Sequence, residues 1–507
     1  MAALTFADLE IRSVFSIEKI LSCHFETAEN EHARLYFTAQ VECRQAREKI
    51  EGMLSGQKVS LHGRGESQPV FTGVIGRAAI EDAHGSYVLK AEVLSNTCQL
   101  DLVKKSRSFQ DTRMTYSQVV QSVLREYPKA GCVFKVGGEK AIGYPIIQYL
   151  ETDWEFLKRL ASHFNTSLFP ELHTGEPKLY FGLPQRETLH QEEISHYKVR
   201  VDEKYYRMGG ETLRYRKADF LHYLFESSEA YEVGDQVALK GRTLRVVRKY
   251  CRLDKDGEIL YTYDVGSVRL ASQLRRYNEK IAGMSLQGSV LETYAGLKKA
   301  IEHVLKVKVI DLDVDPQPTA AYPYCWAPAT GNLMYLMPKV GTRVALYFPS
   351  GDEGEARAVT CIRTNGGQNS ASMTDISRRG LVTEHDKQLQ LYADRLGLIG
   401  SGQEGTPSPI ILEDGKGIAL ESDYPISIFA KGNVNIGGKV VKFTCKTSVM
   451  AFSKGGKPVP EEGGDEIPPV AVLVIKEGNV GGYTENLPVH MVGLTYREFP
   501  NIEDAPQ

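Results

Sequence analysis

Three stretches of the 507-residue sequence place residues at spacings that chemistry uses. Gly400-Ser-Gly-Gln-Glu-Gly405 fits the G-x-G-x-x-G pattern of dinucleotide-binding turns. That chemistry needs a helix to open at the last glycine, so that its free amides face the pyrophosphate. Thr406-Pro-Ser-Pro409 follows instead and cannot open one, so a loop is the better reading. Asp311, Asp313 and Asp315 imitate the start of a calcium loop. Pro316 stands at that loop's glycine and Tyr322 at its closing glutamate, so aspartates alternating along an edge strand fit better. His190 and His196 lack the H-E-x-x-H spacing, and His490 has no His-x-His partner to hold iron. Neither a G-x-S-x-G elbow nor a P-loop occurs. The sequence therefore offers no catalytic, cofactor-binding or metal-ligating residues, and a non-enzymatic protein is expected.

The charge pattern excludes further classes. A net charge of −3 gives no general reason to bind nucleic acid or an anionic membrane. The one basic run is Lys240, Arg242, Arg245, Arg248, Lys249 and Arg252. It alternates with Leu244 and Val246 and reads as the wet face of a barrel strand. Nucleic acid is not expected there, because no aromatic platform accompanies it. Met1 to Leu9 lacks the basic and apolar regions of an export leader. The best apolar run, Val470 to Ile475, is about a third of the roughly 20 residues a spanning helix needs. A chain made in the cytosol is expected. Its eight cysteines are scattered without a C-x-x-C pair, which suits reduced thiols.

Short strands with glycine-containing turns dominate the elements. Residues 1–114 read as a first β-barrel, with strands at Ala33 to Val41, Val59 to Leu61, Pro69 to Ile75 and Ser86 to Val93. Residues 115–210 read as an α/β insert with two helices. One spans Thr115 to Tyr127 with Val119, Val120, Val123 and Leu124 on one face. The other starts at Thr152, whose Glu155 three residues on makes a capping box, and Trp154, Leu157, Leu160, Ala161 and Phe164 form its apolar stripe. Strands return in residues 211–280, read as a second barrel. Residues 281–365 have the size of a five-stranded OB barrel. Residues 364–379 are a Gly-, Asn- and Ser-rich linker.

Beyond the linker the sequence repeats. Ile410, Ile418, Ile426 and Val434 recur every eight residues, and Leu412, Leu420, Ile428 and Ile436 recur in step two places on. Both positions of each unit point to one face of a strand. Each aliphatic is worth about 1.5–3 kcal/mol if fully buried, and no helix or second sheet follows in sequence to cover the row. Stacked solenoid turns within one chain would be very short at eight residues, and an ordinary β-meander that happens to show period eight is the competing reading of the repeat. Winding several identical chains around one axis buries every copy and leaves few free edges. An intertwined trimeric β-helix over residues 380–452, with these eight aliphatics as its core, is therefore expected. Residues 453–507 form an extension with no role legible in the sequence.

Two segments resemble a known family. Gln148-Tyr-Leu-Glu-Thr-Asp-Trp-Glu-Phe-Leu-Lys-Arg-Leu160 is similar to a segment of VgrG-type spikes and phage late-control D proteins, matching at Gln148, Tyr149, Glu151, Thr152, Asp153, Phe156, Leu157, Arg159 and Leu160. Met337-Pro-Lys-Val-Gly-Thr-Arg-Val344 and Phe348-Pro-Ser-Gly-Asp-Glu353 resemble the OB domain of baseplate assembly protein V, through Pro338, Gly341, Val344, Phe348 and Pro349. The octads resemble the needles of contractile phage tails. The resemblance implies a mainly β protein with a small α/β insert: two hub β-barrels, an OB-fold barrel and a C-terminal trimeric needle. It implies a homotrimeric spike of a contractile injection system that punctures a membrane mechanically and takes no cofactor. Its partners would be tail-tube and baseplate proteins and a PAAR-like tip or cargo protein, not nucleic acid, and its place the tip of the assembled particle. The competing reading is a β-helical polysaccharide-degrading or carbohydrate-binding spike. For it the octads supply Glu413, Glu421 and Asp423 but only Tyr424 and Phe429 as aromatics.

Overall fold

The computed structural model describes residues 8–42, 57–83, 86–191, 194–253, 258–295, 303–309, 312–314, 320–328, 330, 336–362, 377, 379–383, 385–401, 407–424, 426–428, 431, 444–451 and 473–479. Val434, Ile436, His490, Asp311, Asp315 and most of 453–507 lie outside them. The chain divides into two units, residues 1–365 and 366–507.

In the first unit, strands β1 (Leu9–Arg12), β2 (Ile17–Thr27), β3 (Arg34–Val41), β4 (Lys58–Gly63), β5 (Pro69–Ala83) and β6 (Ser86–Ser95) come from the N-terminal segment. After β7 (Lys104–Phe109) come a helix at Tyr116–Leu124, β8 (Gly131–Phe134), β9 (Ile146–Thr152) and a helix at Asp153–Ser162. Short strands β10 (Leu168–Pro170), β11 (Lys178–Phe181), β12 (Leu189–His190) and β13 (Lys198–Val201) follow. Then come β14 (Leu221–Ser227), β15 (Gln236–Leu239), β16 (Arg242–Leu253) and β17 (Ile259–Gly266).

The two expected hub barrels share one sheet. Its order is β1-β4-β5-β6-β3-β2-β16-β17-β14-β13, with β15 on β16 and β12 on β15. The seam is β2 against β16, antiparallel, with Thr27 opposite Lys249 and Phe25 opposite Cys251. One apolar core runs beneath both halves, including Phe25, Phe37, Phe71, Val246, Tyr261 and Tyr263. Among the described residues neither half is closed by its own strand pairs, and the shared core holds the two together.

The basic run on β16 departs from the expected wet face. Lys249 is 2% exposed, within the core, and its Nζ donates to Glu232 Oε1 at 2.9 Å. The register against β17 shifts between Val246 and Arg248. A bulge adds one residue and inverts the alternation beyond it. Val246 and Val247 are therefore both buried, and Lys249 turns inward while Arg252 stays exposed.

The insert packs around its own core. The first helix is capped by Thr115, in a capping box with Gln118, and buries Tyr116, Val119, Val120, Val123 and Leu124. These meet Trp154, Phe156, Leu157 and Leu160 of the second helix. A closed five-stranded barrel follows, in the order β18 (Ser285–Ala295), β19 (His303–Val309), β20 (Pro323–Trp326), β22 (Arg357–Ile362) and β21 (Arg343–Tyr347). Asp313 is not on a strand: its carboxylate accepts from the Val309 amide and from Gln110 Nε2, both at 2.7 Å.

In the second unit, β23 (Arg379–Val382), β24 (Gln388–Leu391), β25 (Arg395–Ser401), β26 (Pro407–Glu413) and β27 (Gly417–Leu420) form a five-stranded antiparallel meander. Within one chain the first two octads thus form a hairpin rather than solenoid turns. The turn between them places Gly415 at φ 76° and Gly417 at φ 99°, conformations that favour glycine. In the same unit β28 (Thr444–Ala451) pairs antiparallel with β29 (Leu473–Asn479).

A candidate load-bearing junction and an uncovered apolar sheet

The hub motif begins on β9, which pairs antiparallel with β7 so that Arg107 faces Gln148 and Lys105 faces Glu151. The chain turns into the second helix at Thr152. Thr152 Oγ1 accepts from the Glu155 amide at 3.1 Å, and Glu155 Oε2 accepts from the Thr152 amide at 3.0 Å. This capping box satisfies two amides that the first turn leaves free. Asp153 then sits at the helix start with its carboxylate fully buried. It accepts from Lys105 Nζ at 2.9 Å, Arg107 Nη1 at 2.6 Å, Gln148 Nε2 at 2.9 Å and Tyr127 Oη at 2.6 Å. Burial opposes its ionisation, but those hydrogen bonds outweigh it and hold the carboxyl below its ordinary pKa.

Phe156, Leu157 and Leu160 are fully buried, and Phe156 stacks on Phe109 with ring centroids 5.9 Å apart. On the same helix, next to Leu160, Arg159 is 2% exposed. Its Nε and Nη2 donate to the two oxygens of Glu151, each at 2.8 Å, and Nη2 also donates to Ile147 O at 2.9 Å. Its Nη1 donates to Glu353 Oε1 at 2.7 Å.

Glu353 belongs to the barrel. It opens a one-turn 3-10 helix after Phe348-Pro-Ser-Gly-Asp, and its Oε1 also accepts from the Ile147 amide at 3.3 Å. Asn278 Nδ2 closes the network on Glu151 Oε2 at 3.3 Å. Burial pushes the Glu151 carboxyl above its ordinary pKa, against the pull of Arg159. Two buried carboxylates thus share one guanidinium, a cluster that holds only with every member in place.

The two segments picked out in the sequence therefore meet in space. Ile147 is packed in the barrel's core with Val290, Val307, Tyr324, Val344, Leu346 and Phe348, and Tyr149 rests against that core. Pro338 is buried, Gly341 is exposed at φ 83°, and Pro349 is exposed. Backbone bonds add to the junction: Ser108 N donates to Leu312 O at 2.7 Å, and Val314 N to Ser108 O at 3.0 Å. Gln110 Nε2 reaches Val307 O at 2.9 Å. Sequence reasoning did not select Glu353, Arg107, Lys105, Asn278 or Ile147 as site residues. Glu353 alone had a signal, as the end of the quoted barrel segment. The network's donors and acceptors satisfy one another across the two segments.

The octad residues belong to the second unit. Cross-strand pairing aligns Leu381, Leu389, Leu398, Ile410 and Leu420 in one row, and Arg379, Leu391, Leu396, Leu412 and Ile418 in a second. Directly opposed residues of an antiparallel sheet share a face, so nine aliphatics lie together. Within one chain the face is open: Ile418 is 75% exposed, and Ile410, Leu412, Leu420, Leu391 and Leu398 are exposed too. Ile426 and Ile428 are also exposed.

Comparison with known proteins bears on this architecture. The phage tail baseplate hub (GPD) family model matches residues 31–181, which include the hub motif. A component of the Escherichia coli type VI secretion system, described as similar to the T4 bacteriophage tail proteins gp27 and gp5, superposes with a TM-score of 0.50 at 14% identity. The match covers 70% of this chain and 99% of that one. A lidless PdpA–VgrG complex matches with a TM-score of 0.50 at 8% identity, covering 82% of this chain and 97% of that one. The half-lidded form of that complex, from Francisella, matches at 8% identity with a TM-score of 0.49, over 82% of this chain and 87% of that one. No curated protein sequence matches. Residues 31–181 thus match the phage tail baseplate hub (GPD) family, in a chain that shares its fold with the type VI secretion component described as similar to gp27 and gp5.

Proposed function

We propose that the chain is one subunit of a homotrimeric spike in a contractile injection system, a hub carrying a membrane-puncturing needle. Residues 1–114 and 211–280 supply the hub sheet, 115–210 its insert, 281–365 the OB barrel and 380–452 the needle. The observation that carries this reading is the two-row aliphatic face of residues 379–420, which a single chain leaves open to water. Two further copies of the same sheet are complementary to it by construction, since an apolar row meets identical apolar rows.

The hub residues belong to a domain that joins the spike to tail-tube and baseplate proteins. The buried Glu151–Arg159–Glu353 cluster passes thrust from hub to barrel, and the needle delivers it. Rigidity does this work, so no catalytic residue is needed, and the pairing of β28 with β29 supports a needle end folded back on itself. The protein joins the tip of the particle from the cytoplasm, alone or under a separate tip or cargo protein. Mass photometry of the full chain tests the reading. A species near three times 56.5 kDa is expected. A stable single-copy species at working concentration overturns it.

A further inference from the structure

A second surface of the hub has charge chemistry that the spike reading does not use. Residues 203–220 hold five basic and three acidic residues, and residues 267–278 hold three basic and none acidic. The chain as a whole carries −3, so this face is opposite in sign to the remainder. Between the two segments lies an open groove of about 630 Å³, lined by Arg214, Arg216, Asp219, Ser267, Arg269 and Ser272 among others.

The arginines outnumber their acceptors. Arg216 Nε and Nη2 both donate to Asp219, at 3.2 and 2.9 Å, and Arg269 Nε lies 3.6 Å from the same carboxylate. Arg269 lies over the Tyr215 ring at 4.8 Å, which fixes its plane. The Arg214 side chain has no acceptor among the described residues, and its backbone is held at φ 56° in a turn closed by Tyr215 N to Gly210 O. Ten guanidinium N–H groups on Arg216 and Arg269 thus meet one carboxylate, and Arg214 adds five more. The same face exposes Tyr206, Leu213, Val268 and Leu274, and Val268 lines the groove itself. Arginine, tyrosine and aliphatic side chains together match a protein interface better than a site for a free ion.

We propose that this groove binds an acidic segment of a partner protein, with carboxylate side chains on Arg214 and Arg269 and an aliphatic side chain against Val268. The assignment is independent of the trimer, since it needs only the hub fold. Planar guanidinium forks pair carboxylates with two parallel bonds, and the charge of the face steers an acidic chain toward it.

The test uses the full-length protein and a fluorescein-labelled short peptide of glutamates interspersed with leucines, read by fluorescence anisotropy. Wild type is expected to bind it, with affinity falling as salt rises. The double substitution Arg214→Ala, Arg269→Ala is expected to weaken binding about tenfold, the scale of a lost exposed bidentate contact plus lost steering. Arg242→Ala with Arg252→Ala, on the exposed face of β16, is expected to leave binding unchanged. Thermal unfolding of each variant shows that the hub still folds. No peptide binding by wild type, equal loss in both double variants, or displacement of the peptide by inorganic phosphate or a thymidine oligonucleotide at lower concentration each overturns the assignment.

Discussion

Replacing Arg159 by methionine tests whether hub and barrel are welded as the geometry implies. The substitution keeps the length of the side chain and its place beside Phe156, but removes four hydrogen bonds: two to Glu151, one to Glu353 and one to Ile147 O. Two carboxylates are then buried without a cation. Removing one partner of a buried ion cluster costs about 3–5 kcal/mol. At roughly 2 °C per kcal/mol for a unit of this size, the unfolding midpoint should fall by roughly 6–10 °C.

The chain carries its own reporters, because its two tryptophans stand on opposite sides of the junction. Trp154 is buried in the insert helix, its Nε1 donating to Asn30 O at 3.3 Å, and Trp326 is on barrel strand β20. In single-tryptophan variants of the wild-type background the two fluorescence transitions should coincide. With Arg159→Met the Trp326 transition should come first, as the barrel unfolds apart from the hub. Removing the charges altogether, with Glu151→Leu and Glu353→Leu added, should recover about half of the loss or more, since apolar replacement of a whole cluster is often neutral. If Arg159→Met costs under about 1 kcal/mol and both tryptophans still report one transition, the cluster does not couple the domains.

Three further outcomes follow from other sites. Ile418→Asp puts a carboxylate in the aliphatic rows of every copy, and should yield single chains by mass photometry while the hub's unfolding midpoint stays unchanged. Burial opposes ionisation of Glu232, but Lys249 and His173 outweigh it and pull its carboxyl down to about 2. A carboxyl with a depressed folded pKa stabilises above its unfolded value near 4.5, and that stability is lost as pH falls from there toward 2. Glu232→Gln should therefore flatten the fall of hub stability between about pH 4.5 and 2 in acid titrations. A Cβ on Gly288 would lie 2.0 Å from Val307 Cγ1 inside the barrel, so Gly288→Ala should destabilise the barrel by about 1–3 kcal/mol, visible at Trp326.

Local features were the legible ones. Thr152 and Glu155 announce the helix start because a capping box lies within four residues, and the Trp154–Leu160 stripe follows helical spacing. The octad rows were legible because strand pleating fixes which side chains share a face. Their hairpin pairing was less so, since it depends on turn glycines at 415 and 417 rather than on the repeat. Pairings across long stretches of chain left no trace. Arg159 meets Glu353 from 194 positions away, and a surface pattern places no partner at such a distance. The single hub sheet was hidden for the same reason. Lys249 was misread because a bulge at Val247 inverts an alternation that looks unbroken in the sequence.

The seam between β2 and β16 governs when the hub can be completed during synthesis. Thr27 waits for Lys249, which leaves the ribosome 222 residues later. At about 5–20 residues per second that delay is roughly 10–45 s. Throughout it the N-terminal half holds one unsatisfied strand edge and a half-built core, the condition in which nascent chains pair with the wrong neighbour. Slower emergence of the C-terminal half should therefore lower the soluble yield. Co-expression with a holdase should raise soluble yield more than any stabilising substitution in the finished barrel.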